Sequence, residues 1–170
     1  SVSVVFLAAA GLFNPSAASF TLQVRTSVEA TNIASNGYTI NPAGTTISTP
    51  AVSVSPAVVQ TRGAYTVTFS VGTQGRLLGG TSTITVTFPG GTTVPASITP
   101  STVTVNGVAA SAVITAGQAV TITVPPSVTI NNSGTVVVGL AVGSNIFNPT
   151  TAASYTLTAR TSTETSAQTS

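Results

Sequence analysis

The chain carries two acidic side chains, and each stands four residues after an arginine: Arg25 with Glu29 and Arg160 with Glu164. Paired carboxylates can share general acid and base work at a glycosidic bond, but both must converge on one sugar. Here the two acids sit at equivalent positions of a duplicated segment, so they read as one structural feature seen twice. The spacing puts each arginine and glutamate on one face if the strand continues. That allows either an ion pair between units or a surface pair contributing about 1 kcal/mol or less, and the surface pair is the expectation.

The remaining residue types offer little chemistry. Histidine, cysteine, lysine and aspartate are absent, which removes the usual bases and most metal ligands. Serine and threonine hydroxyls abound without a base to activate them. Gly75, Gly79 and Gly80 lack the lysine of a phosphate-binding loop and read as turn glycines. Without cysteine there is no disulfide framework, and without lysine there are no lysine-to-asparagine isopeptide staples, so cohesion has to be noncovalent. The expectation is a protein that is not an enzyme and takes no cofactor, metal or small-molecule substrate. One modification signal stands out: Asn131-Asn132-Ser133 is an open glycosylation sequon with Asn131 as acceptor, whereas proline blocks Asn148-Pro149-Thr150.

Charge excludes further classes. Only 4% of residues are charged and the net charge is +2, against roughly 25% charged residues in soluble domains. The high isoelectric point reflects four arginines against two glutamates, and no basic run exists to neutralise a row of phosphates, so nucleic acid is not an expected partner. Serine and threonine, about a third of the chain, supply surface polarity in place of charge and suit a densely packed exterior. No apolar run reaches the length of roughly 18 residues that a spanning helix needs. The opening SVSVVFLAAAGLF is too short to span and lacks the positive lead of a secretory signal.

A duplication explains that opening better. Val2, Val4, Phe13, Asn14 and Pro15 match Val136, Val138, Phe147, Asn148 and Pro149; after one inserted residue, Ala17, Ala18, Ser19, Thr21, Leu22, Arg25, Thr26, Ser27, Glu29 and Ser35 match Ala152, Ala153, Ser154, Thr156, Leu157, Arg160, Thr161, Ser162, Glu164 and Ser170. The organisation expected is a complete unit over residues 36–170, preceded over residues 1–35 by the closing piece of another. Such a remnant cannot bury its apolar face alone and needs a partner.

Strand periodicity dominates between the two copies. Tyr65, Val67, Phe69 and Val71 alternate with Thr66, Thr68 and Ser70; Ile84, Val86 and Phe88 alternate with Thr83, Thr85 and Thr87; Val120, Ile122 and Val124 alternate with Ala119, Thr121 and Thr123. Turn signals punctuate the runs at Gly79-Gly80, Pro89-Gly90-Gly91, Asn106-Gly107, Pro125-Pro126 and Asn131 to Gly134, and Asn106-Gly107 is a hairpin candidate. The pattern predicts an all-β sandwich or barrel. Its core should draw on Tyr65, Val67, Phe69, Ile84, Val86, Phe88, Val103, Val105, Val120, Ile122, Val124, Tyr155 and Leu157.

The stretch from Gly63 to Gly107, with TITVTFPGGTTVP and VTVNG, and the NPTTAASYTLTARTSTE tail resemble an immunoglobulin-like module of bacterial and archaeal cell-surface repeat proteins, including S-layer-type proteins. The similarity covers residues 57–170 and returns in 12–35. It implies an immunoglobulin-like β-sandwich in an extracellular, cell-surface setting, often repeated in tandem and without a catalytic role.

Two functional expectations follow. In the first, the chain is a structural subunit of a filament or surface layer that polymerises with copies of itself: residues 1–13 form a strand, with Val2, Val4, Phe6 and Ala8 facing one way and Ser1, Ser3, Val5 and Leu7 the other, which completes a neighbour's sheet. Val2, Val4, Phe6 and Leu7 are then the assembly residues, and the competing arrangement is an ordinary edge strand within the same chain. In the second, the chain is an adhesin or ligand-binding module of a larger surface protein. Carbohydrate sites generally use exposed aromatics, and with Tyr65 and Tyr155 assigned to the core only Tyr38 remains free among the tyrosines.

Overall fold

The computed structural model describes residues 1–7, 10–12, 14–40 and 46–170. It divides into two compact units, Ser1–Ala43 and Gly44–Ser170. The expected boundary after Ser35 and this one differ because Tyr38–Ile40 pairs with Ala18–Phe20 inside the first unit.

Within the larger unit the threonine-rich alternating runs form two five-stranded sheets. One has the order β10 (Ala112–Ala116), β11 (Ala119–Thr123), β7 (Thr83–Thr87), β13 (Thr158–Thr161), β14 (Gln168–Thr169). The other runs β5 (Ala51–Ser55), β6 (Ala64–Ser70), β12 (Thr135–Leu140), β8 (Val103–Val105), β9 (Val108–Ala109). All these strand pairs are antiparallel.

Alternation decides the register. Val67 and Phe69 of β6, Ile84 and Val86 of β7, Val120 and Ile122 of β11, and Val136, Val138 and Leu140 of β12 are all buried in one shared apolar core. A one-residue slip would carry every one of these side chains to the outer face, so burial fixes the pairing. Tyr65 and Phe88 join the two sheets through an edge-to-face contact with centroids 5.0 Å apart. The architecture is therefore all-β and sandwich-like, with two sheets around a common core.

Asn106-Gly107 makes the hairpin its type suggests. Both residues have positive φ, 50° and 82°, and β8 pairs with β9 across them, as a two-residue turn that matches strand twist requires. Among the expected core residues Tyr155 is the exception. It is exposed, because β13 begins only at Thr158 and the period of two does not extend back to it. Its hydroxyl instead donates to the Thr151 carbonyl, closing a local turn.

The smaller unit holds two short ladders, β1 (Ala18–Phe20) with β4 (Tyr38–Ile40) and β2 (Gln23–Val24) with β3 (Ile33–Ala34). Ser1–Leu7 lie in no strand. Ala8 and Phe13, which the alternation and the duplication single out, fall outside the described residues.

Candidate assembly site

The closing hairpin of the larger unit completes one of its two sheets. β13 inserts between β7 and β14, with Ala159 opposite Val86 and Gln168. Thr161 N–H donates to the Glu164 carbonyl while Thr161 Oγ1 accepts the Glu164 amide, which ties off the turn. Ser170 closes the open end, its amide donating to the Leu157 carbonyl and its Oγ accepting the Leu157 amide. Leu157, Ala159 and Thr161 then face the core and are buried.

Glu164 does not form the surface pair expected with Arg160. Its side chain is 0% exposed, and its carboxylate accepts the Gly72 amide. The cradle is made by missing side chains: a Cβ at Gly72 or at Gly75 would collide with the carboxylate. Burial pushes the Glu164 carboxyl above its ordinary value, and the Gly72 hydrogen bond pulls against that shift. Arg160 stays exposed on the opposite face of β13. The acid and its repeat are legible in the sequence and its burial is not; the one trace of it there is the pair of glycines, Gly72 and Gly75.

Asn148 is a second buried anchor. Its Nδ2 donates to the carbonyls of Pro56 and Val58, and its Oδ1 accepts the Tyr65 hydroxyl at 2.6 Å.

The first unit reproduces the closing hairpin bond for bond. Thr26 N–H donates to the Glu29 carbonyl and Thr26 Oγ1 accepts the Glu29 amide; Ser35 N–H donates to the Leu22 carbonyl and Ser35 Oγ accepts the Leu22 amide. The ladder register agrees as well, Gln23 with Ala34 and Val24 with Ile33, against Thr158 with Thr169 and Ala159 with Gln168. Burial does not agree. Leu22 and Val24 are 54% and 57% exposed, where Leu157 and Ala159 are 4% and 0%. Glu29 is exposed too, and the β2 edge that corresponds to the β7-facing edge of β13 pairs with no strand among the described residues.

No family model, curated protein or solved structure matches this chain.

The named assembly residues Val2, Val4, Phe6 and Leu7 are all exposed. Their duplicated counterparts tell a different story: Val136 and Val138, with Leu140 two residues on, are buried along β12 between β6 and β8. Ser1–Leu7 are thus a core-type sequence without a core around them. Asn131 is exposed in the turn before β12, where its carbonyl accepts the Gly134 amide. Tyr38 is partly covered, its ring packing on Phe20 at 6.1 Å between centroids. Among the described residues no group of three or more His, Cys, Asp or Glu side chains is gathered, and no helix is long and apolar enough to cross a membrane.

Proposed function

We propose that this chain is a structural subunit of an extracellular filament or surface layer, an immunoglobulin-like β-sandwich that assembles noncovalently by donating its N-terminal segment to a neighbour. The observation that carries the reading is the second hairpin, which has the same internal hydrogen bonds as β13–β14 while its apolar side chains Leu22, Val24 and Ile33 stand in solvent. A preformed strand pair with an uncovered apolar face and a free edge is a surface suited to sheet completion. Because the donor and the acceptor are different surfaces, the contact is heterologous and propagates. The low charge of the chain removes long-range repulsion between packed copies.

Electron microscopy of the purified protein tests this. Regular polymers are expected from the full chain, deletion of residues 1–13 should already weaken assembly, and deletion of residues 1–35, which removes the hairpin as well, should leave a folded monomer that no longer polymerises. Unchanged assemblies after the longer deletion would refute it.

A second reading, an adhesin or ligand-binding module, draws on a cavity of about 310 Å³ lined by Val52, Val58, Phe88, Thr92, Pro149 and Tyr155. Thr92 is buried there, and its hydroxyl has no hydrogen-bond partner among the described residues. Under this reading the particles are monodisperse.

A further inference from the structure

Glu29 and Glu164 occupy one position in two copies of one hairpin, and among the described residues only Glu164 has a cradle. We infer that residues 1–35 close a second body of the 46–134 kind, with Glu29 entering that body's equivalent of the Gly72–Gly75 cradle. The inference rests on the donor reading above and names what the donor fits.

Three sets of groups carry it. Val2 and Val4 match Val136 and Val138, and the same register sets Phe6 on Leu140; these three positions of β12 are fully buried in the middle of one sheet. Leu22 and Val24 match Leu157 and Ala159, buried where β13 completes the other sheet. Asn14, exposed here, matches Asn148, which ties the link between β5 and β6 to Tyr65. One segment therefore holds what both sheets of a body need, in the order in which a body uses it.

An ordinary exposed sheet edge would not suit this donor. It would pair with Ser1–Leu7 or with β2 but offer no place for both, and it would leave the Glu29 carboxylate no amide to accept. The body within the same chain is also excluded as acceptor, since its β12 and β13 positions are filled by Thr135–Leu140 and Thr158–Thr161. What remains is a second body whose own 135–170 segment is not in place; a full-length neighbour in a polymer meets this only by releasing that segment, because in its closed body the β12 and β13 positions are filled. Val24 is bulkier than Ala159, so a body of the present sequence receives it with some crowding, and a smaller side chain at that position should fit better.

The test places residues 46–134 ahead of Ser1 in the full chain, giving two bodies and one set of 1–35 strands between them. The chain has no cysteine, so a single engineered pair can report register. Ala159 lies opposite Val86; Val24→Cys together with Val86→Cys in the added body should therefore form a disulfide on oxidation, whereas Gln23→Cys with the same partner should not. Glu29→Ala should shift the folding equilibrium of the added body at least tenfold towards unfolded and leave the original body unchanged, while Val24→Ala should be tolerated or stabilising. An added body that stays unfolded beside a folded original, or that folds without the disulfide and without response to Glu29→Ala, overturns the inference. The filament reading fails separately: a two-body chain that closes in this way while the full-length protein forms no polymer would overturn that reading alone.

Discussion

Both carboxylate oxygens of Glu164 accept the Gly72 amide, at 2.9 and 3.1 Å, so the only acidic side chain of the larger unit is buried against one N–H. Desolvation outweighs that hydrogen bond and holds the carboxyl above its ordinary value of 4.5. A group whose value is raised in the folded state binds its proton more tightly there. Its contribution to stability is full below the unfolded value and is lost as pH rises through the folded one. The protein should therefore gain stability on acidification from neutrality towards about pH 4.5, opposite to the usual acid denaturation. Denaturant midpoints across that range check it; Glu164→Gln, which keeps an acceptor for Gly72, should flatten the profile, and a wild-type midpoint that falls on acidification would contradict the assignment.

Gly75 should resist even alanine. Its added Cβ would meet both the Glu164 carboxyl group and Val71, and crowding of this kind costs about 1–3 kcal/mol. Pairing Gly75→Ala with Glu164→Ser should recover part of the loss. Thermal unfolding of the two variants decides it: equal destabilisation in both would mean that the clash is not with the glutamate.

Phe69 and Phe88 are each 3% exposed in the shared core. Truncating either to alanine should cost about 3–5 kcal/mol. Urea unfolding reads this directly, and unchanged stability in both variants would show the strand phase to be wrong.

Much of the larger unit was legible because its strands alternate cleanly and both sheets bury one face. Val67, Ile84, Val86, Val120 and Ile122 are all fully buried, as the period of two requires. Asn106-Gly107 announced its hairpin through the two positive φ angles such a turn demands. Tyr155 was misplaced because periodicity says nothing about where a strand starts. Glu164 was misplaced because an acid four residues from an arginine looks like a surface pair, and only the tertiary approach of Gly72 and Gly75 makes room for it inside. For Ser1–Leu7 the alternation was visible, but a strand needs a partner to hydrogen-bond with, and among the described residues this segment pairs with none.

Asn131 should carry any N-linked glycan this chain receives. It is exposed in its turn, and the neighbouring Asn132 side chain, not that of Asn131, accepts the Arg76 amide. Asn131→Gln should therefore remove a glycan-sized increment from the intact mass of the natively produced protein without lowering its melting temperature. The same increment retained after the substitution would place the modification elsewhere.

The Tyr65–Asn148 contact supplies the last prediction. Tyr65 belongs to β6 and Asn148 to the segment after β12, and the asparagine side chain holds four partners at once: its Nδ2 donates to the Pro56 and Val58 carbonyls and, at 3.4 Å, to Thr61 Oγ1, and its oxygen accepts the Tyr65 hydroxyl. Tyr65→Phe removes one donor and leaves Asn148 Oδ1 buried without it, a loss of about 1–3 kcal/mol. Asn148→Ala strands the Tyr65 phenol and takes a donor from the Pro56 and Val58 carbonyls, of which Val58 keeps the Thr61 hydroxyl, and should cost more than Tyr65→Phe. Asn148→Asp should be the worst of the three, because it converts two donors into a carboxylate facing two carbonyls in a buried site. Enlarging the neighbouring Gly63 offers no relief, since a Cβ there would itself meet Asn148 and Tyr65. A double-mutant cycle between Tyr65→Phe and Asn148→Ala, read by urea unfolding, should show strong non-additivity. Simple additivity would mean that the two side chains stabilise the fold independently and that the hydrogen bond between them contributes nothing.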